Sequence, residues 1–142
     1  QAVRHADGSK RVISRCITYN FKNIHRKNML TEELPIYTKV LELVKLTRQF
    51  LMNMNRIDRI WYGEMLIRNE LSMIESISLA NRSQSERYLH IDRMLAHFEA
   101  AKAILRLLNE ARSIPTSKML TLTRLVTSIE RQANGWKGCS RR

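Results

Sequence analysis

The spacing of apolar residues divides the chain near residue 31. In residues 1–30, apolar side chains are scattered among Arg, Lys, Asn and Ser and follow neither a helical nor an alternating period. From Thr31 onward they recur every three or four residues, which is the period of an amphipathic helix. We therefore predict a poorly ordered N-terminal arm over residues 1–30, a helical domain over residues 31–138 and a short basic tail over residues 139–142.

Four apolar stripes predict four helices. They consist of Tyr37, Val40, Leu41, Val44 and Leu51; of Trp61, Leu66, Ile67, Leu71, Ile74 and Ile77; of Ile91, Met94, Leu95, Phe98, Ala101, Leu105 and Leu108; and of Met119, Leu122, Leu125, Val126, Ile129, Ala133 and Trp136. The third helix, from about Glu86 to Arg112, is the longest. Its other faces also carry apolar residues, namely Ala96, Ala100, Ala103, Ile104 and Leu107. This width indicates that the third helix contacts other subunits.

The ends of the helices follow from capping and breaking residues. The first helix begins at Thr31 and Pro35, because Thr accepts a hydrogen bond from a free helix amide and Pro is tolerated in the first turn. It extends to about Met54. Connections follow at residues 53–58, 81–86 and 114–117, and the fourth helix stops at residues 135–138. Connections this short favour antiparallel neighbours, so we predict an all-α, up-down-up-down four-helix bundle with a basic N-terminal arm.

Positive charge is the strongest feature of the composition. The 142 residues include 25 Lys and Arg against 13 Asp and Glu, which gives a formal net charge of +12. Residues 1–30 hold seven basic residues and one acid, and residues 31–142 hold eighteen and twelve. Arm and body therefore carry the same excess. A polyanion such as RNA or DNA is the partner that this excess favours.

The sequence lacks the motifs of common enzymes. It contains no glycine-rich phosphate loop, no Gly-x-Ser-x-Gly elbow and no Glu-x-x-His pair of the kind that binds metal in helical bundles. His90 and His97 lie seven residues apart on the third helix, where positions at the edge of the core explain them better than a metal site. We predict a protein that is not an enzyme and uses no cofactor or metal.

Cysteine usage and hydropathy indicate a cellular compartment. Cys16 and Cys139 lie near opposite ends of the chain, outside any Cys-x-x-Cys motif, and we expect both to be free thiols in a reducing cytoplasm. No apolar run reaches the roughly eighteen residues that a membrane span needs, and no secretory leader is evident. We expect a soluble, cytoplasmic protein without a membrane partner.

Seven basic residues on the predicted helices are the candidates for binding nucleic acid or a protein partner: Lys102, Arg106, Arg124, Arg131, Arg48, Arg68 and Arg82. Lys102 and Arg106 lie one turn apart beside the third stripe, and Arg124 and Arg131 lie a heptad apart on the outward face of the fourth helix. Rows of this kind suit the phosphates of a nucleic-acid backbone. The alternative is local pairing, Lys102 with Glu99 and Arg106 with Glu110, on a solvated surface.

Three other residues have predicted structural roles. Glu70 lies close to the second apolar stripe and is either a buried acid or, as is more common, a carboxylate that pairs with a neighbouring Arg. Trp61 and Trp136 are predicted to pack, one at the start of the second helix and one at the end of the fourth. Trp136 alternatively seals a subunit interface.

Five short motifs follow one another along residues 31–138. They are Leu34-Pro35-Ile36-Tyr37, Gly63 with Ile67, Ala80-Asn81-Arg82, Leu105-Arg106-Leu107-Leu108 and Asn134-Gly135-Trp136. As an ordered set they resemble the Avd-like proteins, the accessory variability determinants of diversity-generating retroelements. Residues 1–30 lie outside the resemblance.

The resemblance implies a basic four-helix bundle that assembles as a homopentamer and binds both a reverse transcriptase and nucleic acid, either template RNA or cDNA. Such a protein supports mutagenic retrohoming and performs no chemistry itself. The family places basic residues on the third helix, here Lys102 and Arg106. One alternative is the bundle encoded by intervening sequences of bacterial 23S ribosomal RNA genes, although this chain has Arg68-Asn69-Glu70-Leu71 where that family has an Arg-Ser-x-x-Ile-x-x-Asn-like segment. Another is a purely structural, protein-interaction bundle.

Overall fold

The computed structural model describes residues 29–140, which form a bundle of four long helices. The helices are α1 (Pro35–Leu51), α2 (Glu64–Arg82), α3 (Arg87–Glu110) and α4 (Thr116–Cys139). An α-helical turn at Arg56–Asp58 and a π-helical turn at Arg59–Gly63 lead directly into α2. No strand occurs in residues 29–140, so the prediction of an all-α four-helix fold is confirmed. The predicted arm, apart from Met29 and Leu30, lies outside the described residues.

The buried faces of α3 and α4 follow the predicted stripes, with Leu95, Met119 and Val126 only partly buried. The buried faces of α1 and α2 are rotated from the prediction. They consist of Ile36, Val40, Leu43, Leu46, Thr47 and Phe50 in α1 and of Leu66, Glu70, Met73, Ser76, Ile77 and Ala80 in α2. Both helices carry apolar residues on two faces, so periodicity alone does not identify the face that meets the core.

Each helix packs mainly against two others: α1 against α2 and α4, and α3 against α2 and α4. Side chains at the α3–α4 contact give the relative direction of these two helices. Lys102 of α3 contacts Glu130 of α4, whereas Asp92, earlier in α3, contacts Lys137, later in α4. Contacts in this reversed order are what antiparallel neighbours produce.

The starts of the first two helical segments differ from the prediction. Pro35 is the first residue of α1, as predicted, but Thr31 begins a separate 3-10 turn at Thr31–Glu33, and Leu34 precedes α1. The connection after α1 consists of residues 52–55, which is shorter than the connection predicted at residues 53–58. Asn55 Oδ1 accepts a hydrogen bond from the amide of Asp58 at 2.9 Å, which caps a helical turn inside the segment predicted as a loop.

Helix α4 continues through Gly135 and Gly138, so the prediction that it stops at residues 135–138 was wrong. Each glycine inside a helix costs about 1 kcal/mol relative to alanine. Trp136 lies between the two and is only 1% exposed. Burying an aromatic side chain of this size stabilises the fold by roughly 3 kcal/mol, which offsets the two glycines.

The connection between α3 and α4 contains a left-handed residue. Arg112 has a φ of 55°, and the amide of Ser113 donates to the carbonyl of Leu108 at 2.9 Å, a Schellman-type helix end. Ser113 Oγ also donates to the carboxylate of Asp58, which ties this connection to the segment before α2. This hydrogen bond, together with one from Asn55, lowers the pKa of Asp58. The connection is therefore held by backbone and side-chain bonds alike.

The π-helical turn brings α1 close to the start of α2. Gly63 is buried, and a Cβ atom at this position would lie 3.1 Å from Leu51 Cδ2, which is closer than side chains normally pack. Trp61, in the same turn, is 68% exposed. The prediction that Trp61 packs is wrong, whereas the packing of Trp136 is confirmed. No helix in the described part of the chain is both long and apolar enough to cross a bilayer.

Candidate nucleic-acid and partner surface

Lys102 is partly buried and is paired with two acids. Its Nζ donates to Glu99 Oε1 at 2.7 Å and to Glu130 Oε1 of α4 at 2.9 Å, and it lies 5.0 Å from the centre of the Phe98 ring. Partial burial acts to lower the pKa of Lys102, but the two carboxylates outweigh it and the net pKa is raised. The alternative reading of this residue, local pairing with Glu99, is therefore what the structure contains, with Glu130 added.

Arg106, one turn later, has a different environment. It is exposed, and it forms no ion pair with any residue between 29 and 140, so the expected pair with Glu110 does not form. Lys102 and Arg106 therefore do not act as one binding unit in this conformation. Of these two residues, Arg106 is the one whose positive charge is exposed and unpaired within the described residues.

Arg124 and Arg131 form an open row on α4. Both are exposed, seven residues and thus about 10 Å apart along the helix axis. The acid next to Arg131 in sequence, Glu130, pairs with Lys102 across the α3–α4 contact. Neither arginine forms an ion pair within the described residues, so their charge is available to a ligand.

Arg48 and Arg68 both line a groove between α1 and α2. The groove has a volume of about 950 Å³. Arg68 pairs with Glu64 at 2.7 Å, although both side chains are largely exposed. A third arginine, Arg59 of the π-helical turn, also lines the groove. The sequence did not identify it as a candidate, because a π-helical turn has no simple sequence signal.

Arg82 stands apart from the other candidates. It is exposed in the last turn of α2, beyond the stretch of that helix that lines the groove. A cation in the last turn of a helix interacts favourably with the negative end of the helix dipole. This favourable interaction is sufficient to explain Arg82. No other candidate arginine lies in the last turn of α2.

Glu70 is a buried acid, so the more common reading of this residue was wrong. It is 0% exposed and accepts a hydrogen bond from Thr47 Oγ1 of α1 at 2.6 Å, while its other oxygen has no partner in the described structure. Burial raises the pKa of Glu70 to about 7, although the Thr47 bond acts to lower it. Below about pH 7, the Glu70 carboxyl at the α1–α2 contact is therefore mostly neutral.

The two histidines of α3 lie at the edge of the core. His90 is buried, with Nε2 3.6 Å from Glu86, and its Nδ1 has no hydrogen-bond partner in the described structure. His97 Nδ1 lies 3.1 Å from the side-chain oxygen of Asn69 on α2. Within the described ranges, no three His, Cys, Asp or Glu residues are arranged to hold a metal ion.

Several exposed residues of α3 are apolar. Ala96, Ala100 and Ala103 are exposed, and Leu107 is 48% exposed, as expected of residues outside the core stripe. Ile104, which was grouped with them, is instead buried at 6% exposure. The exposed set is the feature on which the predicted subunit contact depends.

Cys139 is disulfide-bonded, so the expectation of a free thiol is wrong for this residue. Cys16, to which the same expectation applied, lies outside the described residues.

Comparisons with known proteins identify no related family, protein or structure. The chain matches no protein-family model, and no curated protein and no solved structure is significantly similar to it.

Proposed function

We propose that this protein is a non-catalytic adaptor that binds the phosphate backbone of RNA or DNA through the open arginines of α3 and α4. The observation that carries the proposal is the state of Arg106, Arg124 and Arg131. All three are exposed and form no ion pair within the described residues, while Glu130, the acid next to Arg131 in sequence, pairs with Lys102. Unpaired guanidinium groups bind phosphate oxygens with charge-assisted, often bidentate, hydrogen bonds.

The expected mode of binding is insensitive to base sequence. The only aromatic residue of α4 is Trp136, which is buried, so bases have no stacking surface on this helix. Contacts to phosphates fix position but carry little sequence information. Affinity should therefore depend on salt and on the number of phosphates contacted.

The biological setting is proposed from the Avd-like resemblance. In this setting the chain forms a homopentamer in the cytoplasm, binds a reverse transcriptase together with template RNA or cDNA, and supports mutagenic retrohoming. Support from the molecule itself consists of the all-α bundle, the positive net charge and the exposed apolar residues of α3.

A purely structural bundle is the second candidate function, and one observation favours it. Three lysines, Lys39, Lys102 and Lys137, pair with acids of the same chain. Charge used in this way stabilises or solubilises the surface and is not available to a ligand. The two candidates differ in what they predict for the unpaired arginines.

The experiment is a salt series of binding to a structured RNA, with molecular mass measured in the same buffers. Replacing Arg124 and Arg131 by Ala should make the slope of log affinity against log salt shallower by about two, one for each lost phosphate contact. The matched control is Lys39→Ala with Lys137→Ala, which removes the same net charge from residues that are already paired. It should leave the slope nearly unchanged.

Two results contradict the proposal. Equal losses in the two double variants would mean that only net charge matters and that the row on α4 is no site. A parent chain whose RNA affinity does not change with salt would remove the nucleic-acid function altogether.

A further inference from the structure

The groove between α1 and α2 has two walls of different length. It is lined by Val44, Arg48, Leu51, Met52, Arg59, Gly63, Glu64, Ile67, Arg68, Leu71, Ser72 and Glu75. The α2 wall, with the π-helical turn before it, runs from Arg59 to Glu75, about 24 Å at the rise of a helix. The groove is therefore a long trough on the outside of the bundle, with a volume of about 950 Å³.

The walls of the groove are apolar and partly open to solvent. Val44 and Leu51 of α1 face Ile67 and Leu71 of α2, and Leu71 is 52% exposed. Gly63 lets the Leu51 side chain pack closely against the start of the α2 wall, where a Cβ atom would lie only 3.1 Å from Leu51 Cδ2. An amphipathic ligand that covers these side chains is stabilised because their apolar surface is removed from water.

Two of the three arginines that line the groove are not neutralised by any residue of the described chain. Arg48 and Arg59 form no ion pair there, and Arg68 is paired with Glu64. Glu75 is the other acid that lines the groove. After the Arg68–Glu64 pair is set aside, two arginines face one carboxylate, so an occupant with acidic flanks is complementary in charge.

The chemistry of the groove distinguishes among classes of occupant. None of its twelve lining residues is aromatic, so single-stranded nucleic acid finds no stacking platform. The walls are helices whose backbone groups bond within the helix, so an extended peptide finds no sheet edge to join. A helix satisfies its own backbone and needs only apolar anchors and matching flanks, which this groove provides.

We propose that the α1–α2 groove binds an acidic amphipathic helix of about sixteen residues from a protein partner. Leucine-like anchors of the partner, spaced by three and four residues, contact Val44, Ile67 and Leu71. Acidic residues on either side of the anchors meet Arg48 and Arg59. The inference rests on the proposed adaptor function, since it assigns the protein partner to the groove and the nucleic acid to the arginines of α3 and α4.

The test uses the full chain and two fluorescent peptides of equal length and equal leucine spacing. One peptide has Glu and the other has Lys at the positions that flank the anchors. The Glu peptide should bind about tenfold more tightly than the Lys peptide, because each rim contact is an exposed charge pair of modest strength. The double variant Arg48→Glu with Arg59→Glu should reverse this preference.

Matched variants separate the contributions. Leu71→Ser, at a half-exposed position that the fold tolerates, should weaken both peptides by about tenfold, as the loss of one apolar anchor implies. Arg124→Glu with Arg131→Glu changes the net charge as much as the groove variant does and should leave peptide affinity unchanged within about twofold. Circular dichroism of each variant confirms that its helices are intact.

The outcomes distinguish failure of the groove from failure of the adaptor function. Equal binding of the two peptides, or binding of neither, overturns the groove assignment while RNA binding by the α4 row is unaffected. Loss of RNA affinity in the Arg48 and Arg59 variant, with no reversal between peptides, would make the groove a nucleic-acid site and would also overturn the inference. Reversal between the peptides in a chain that binds no RNA would support the groove and reject the nucleic-acid part of the proposed function.

Discussion

The α3–α4 contact and the α1–α2 contact both contain acids, but the two contacts use them differently. At α3–α4, Glu130 and Asp92 remain partly exposed and each is neutralised by a lysine. At α1–α2, Glu70 is fully buried beside Thr47, and neither Glu70 nor Arg48 forms an ion pair within residues 29–140. Net charge alone thus says little about where a ligand binds, because the state of each charge depends on its contact.

The largest expected effect concerns Glu70 and pH. The folded-state pKa of about 7 lies above the ordinary 4.5, so the folded protein holds this proton more tightly than the unfolded chain does. The contribution of Glu70 is fully present below about pH 4.5 and is lost as pH rises through about 7. We expect the free energy of unfolding to fall by on the order of 3 kcal/mol across this window, as measured by urea denaturation.

Glu70→Gln should remove this dependence, because the amide resembles the protonated carboxyl in shape and charge. The variant should match the parent near pH 5 and exceed it in stability near pH 9. Glu75→Gln, an exposed position on the same helix, is the control and should keep the parent's profile. If the Glu70 variant also keeps that profile, the burial of an ionisable acid at α1–α2 is disproved.

A smaller effect is expected at the other contact. Lys102→Met keeps the alkyl chain of the side chain but removes both ion pairs, and partly exposed pairs contribute at most about 1 kcal/mol each. We expect a loss of about 1 kcal/mol in urea denaturation. Arg124→Met, at an exposed and unpaired position, should change stability by less than about 0.5 kcal/mol. Equal effects at both positions would erase the distinction between paired lysine and open arginine.

The smallest effect is expected at Arg112, which forms no ion pair within the described residues and belongs to neither proposed binding site. Arg112 holds the left-handed position at the end of α3, which favours glycine. Arg112→Gly should raise the free energy of unfolding by about 0.5 to 1 kcal/mol. The same replacement of Arg93, exposed within α3, should lower it by about 1 kcal/mol. A loss at both positions would show that the Arg112 side chain itself stabilises the connection.

Sequence periodicity predicted the buried residues of α3 and α4 well. It misjudged α1 and α2, where Tyr37, Val44, Ile67 and Leu71 offer a second apolar face. That second face lines the groove or its surroundings, so the error and the candidate site share a cause. A residue such as Leu71 fits the helical period and yet remains half exposed.

The state of each charge was harder to predict than the fold. Local pairing of Lys102 with Glu99 follows from helical spacing and is one of the two interpretations that the sequence supports. Its second partner, Glu130, lies 28 residues later, and only the register of α4 against α3 brings the two together. The burial of Glu70 likewise depends on which face of α2 meets α1, and the sequence pattern did not determine that face.

The two tryptophans give the molecule a pair of optical reporters. Trp136 is 1% exposed within the core, whereas Trp61 is 68% exposed in the π-helical turn beside the groove. Emission from the first should be blue-shifted and protected from aqueous quenchers, and emission from the second should be red-shifted and readily quenched. With either one replaced by Phe, unfolding and events at the protein surface can be followed separately in the same spectrometer.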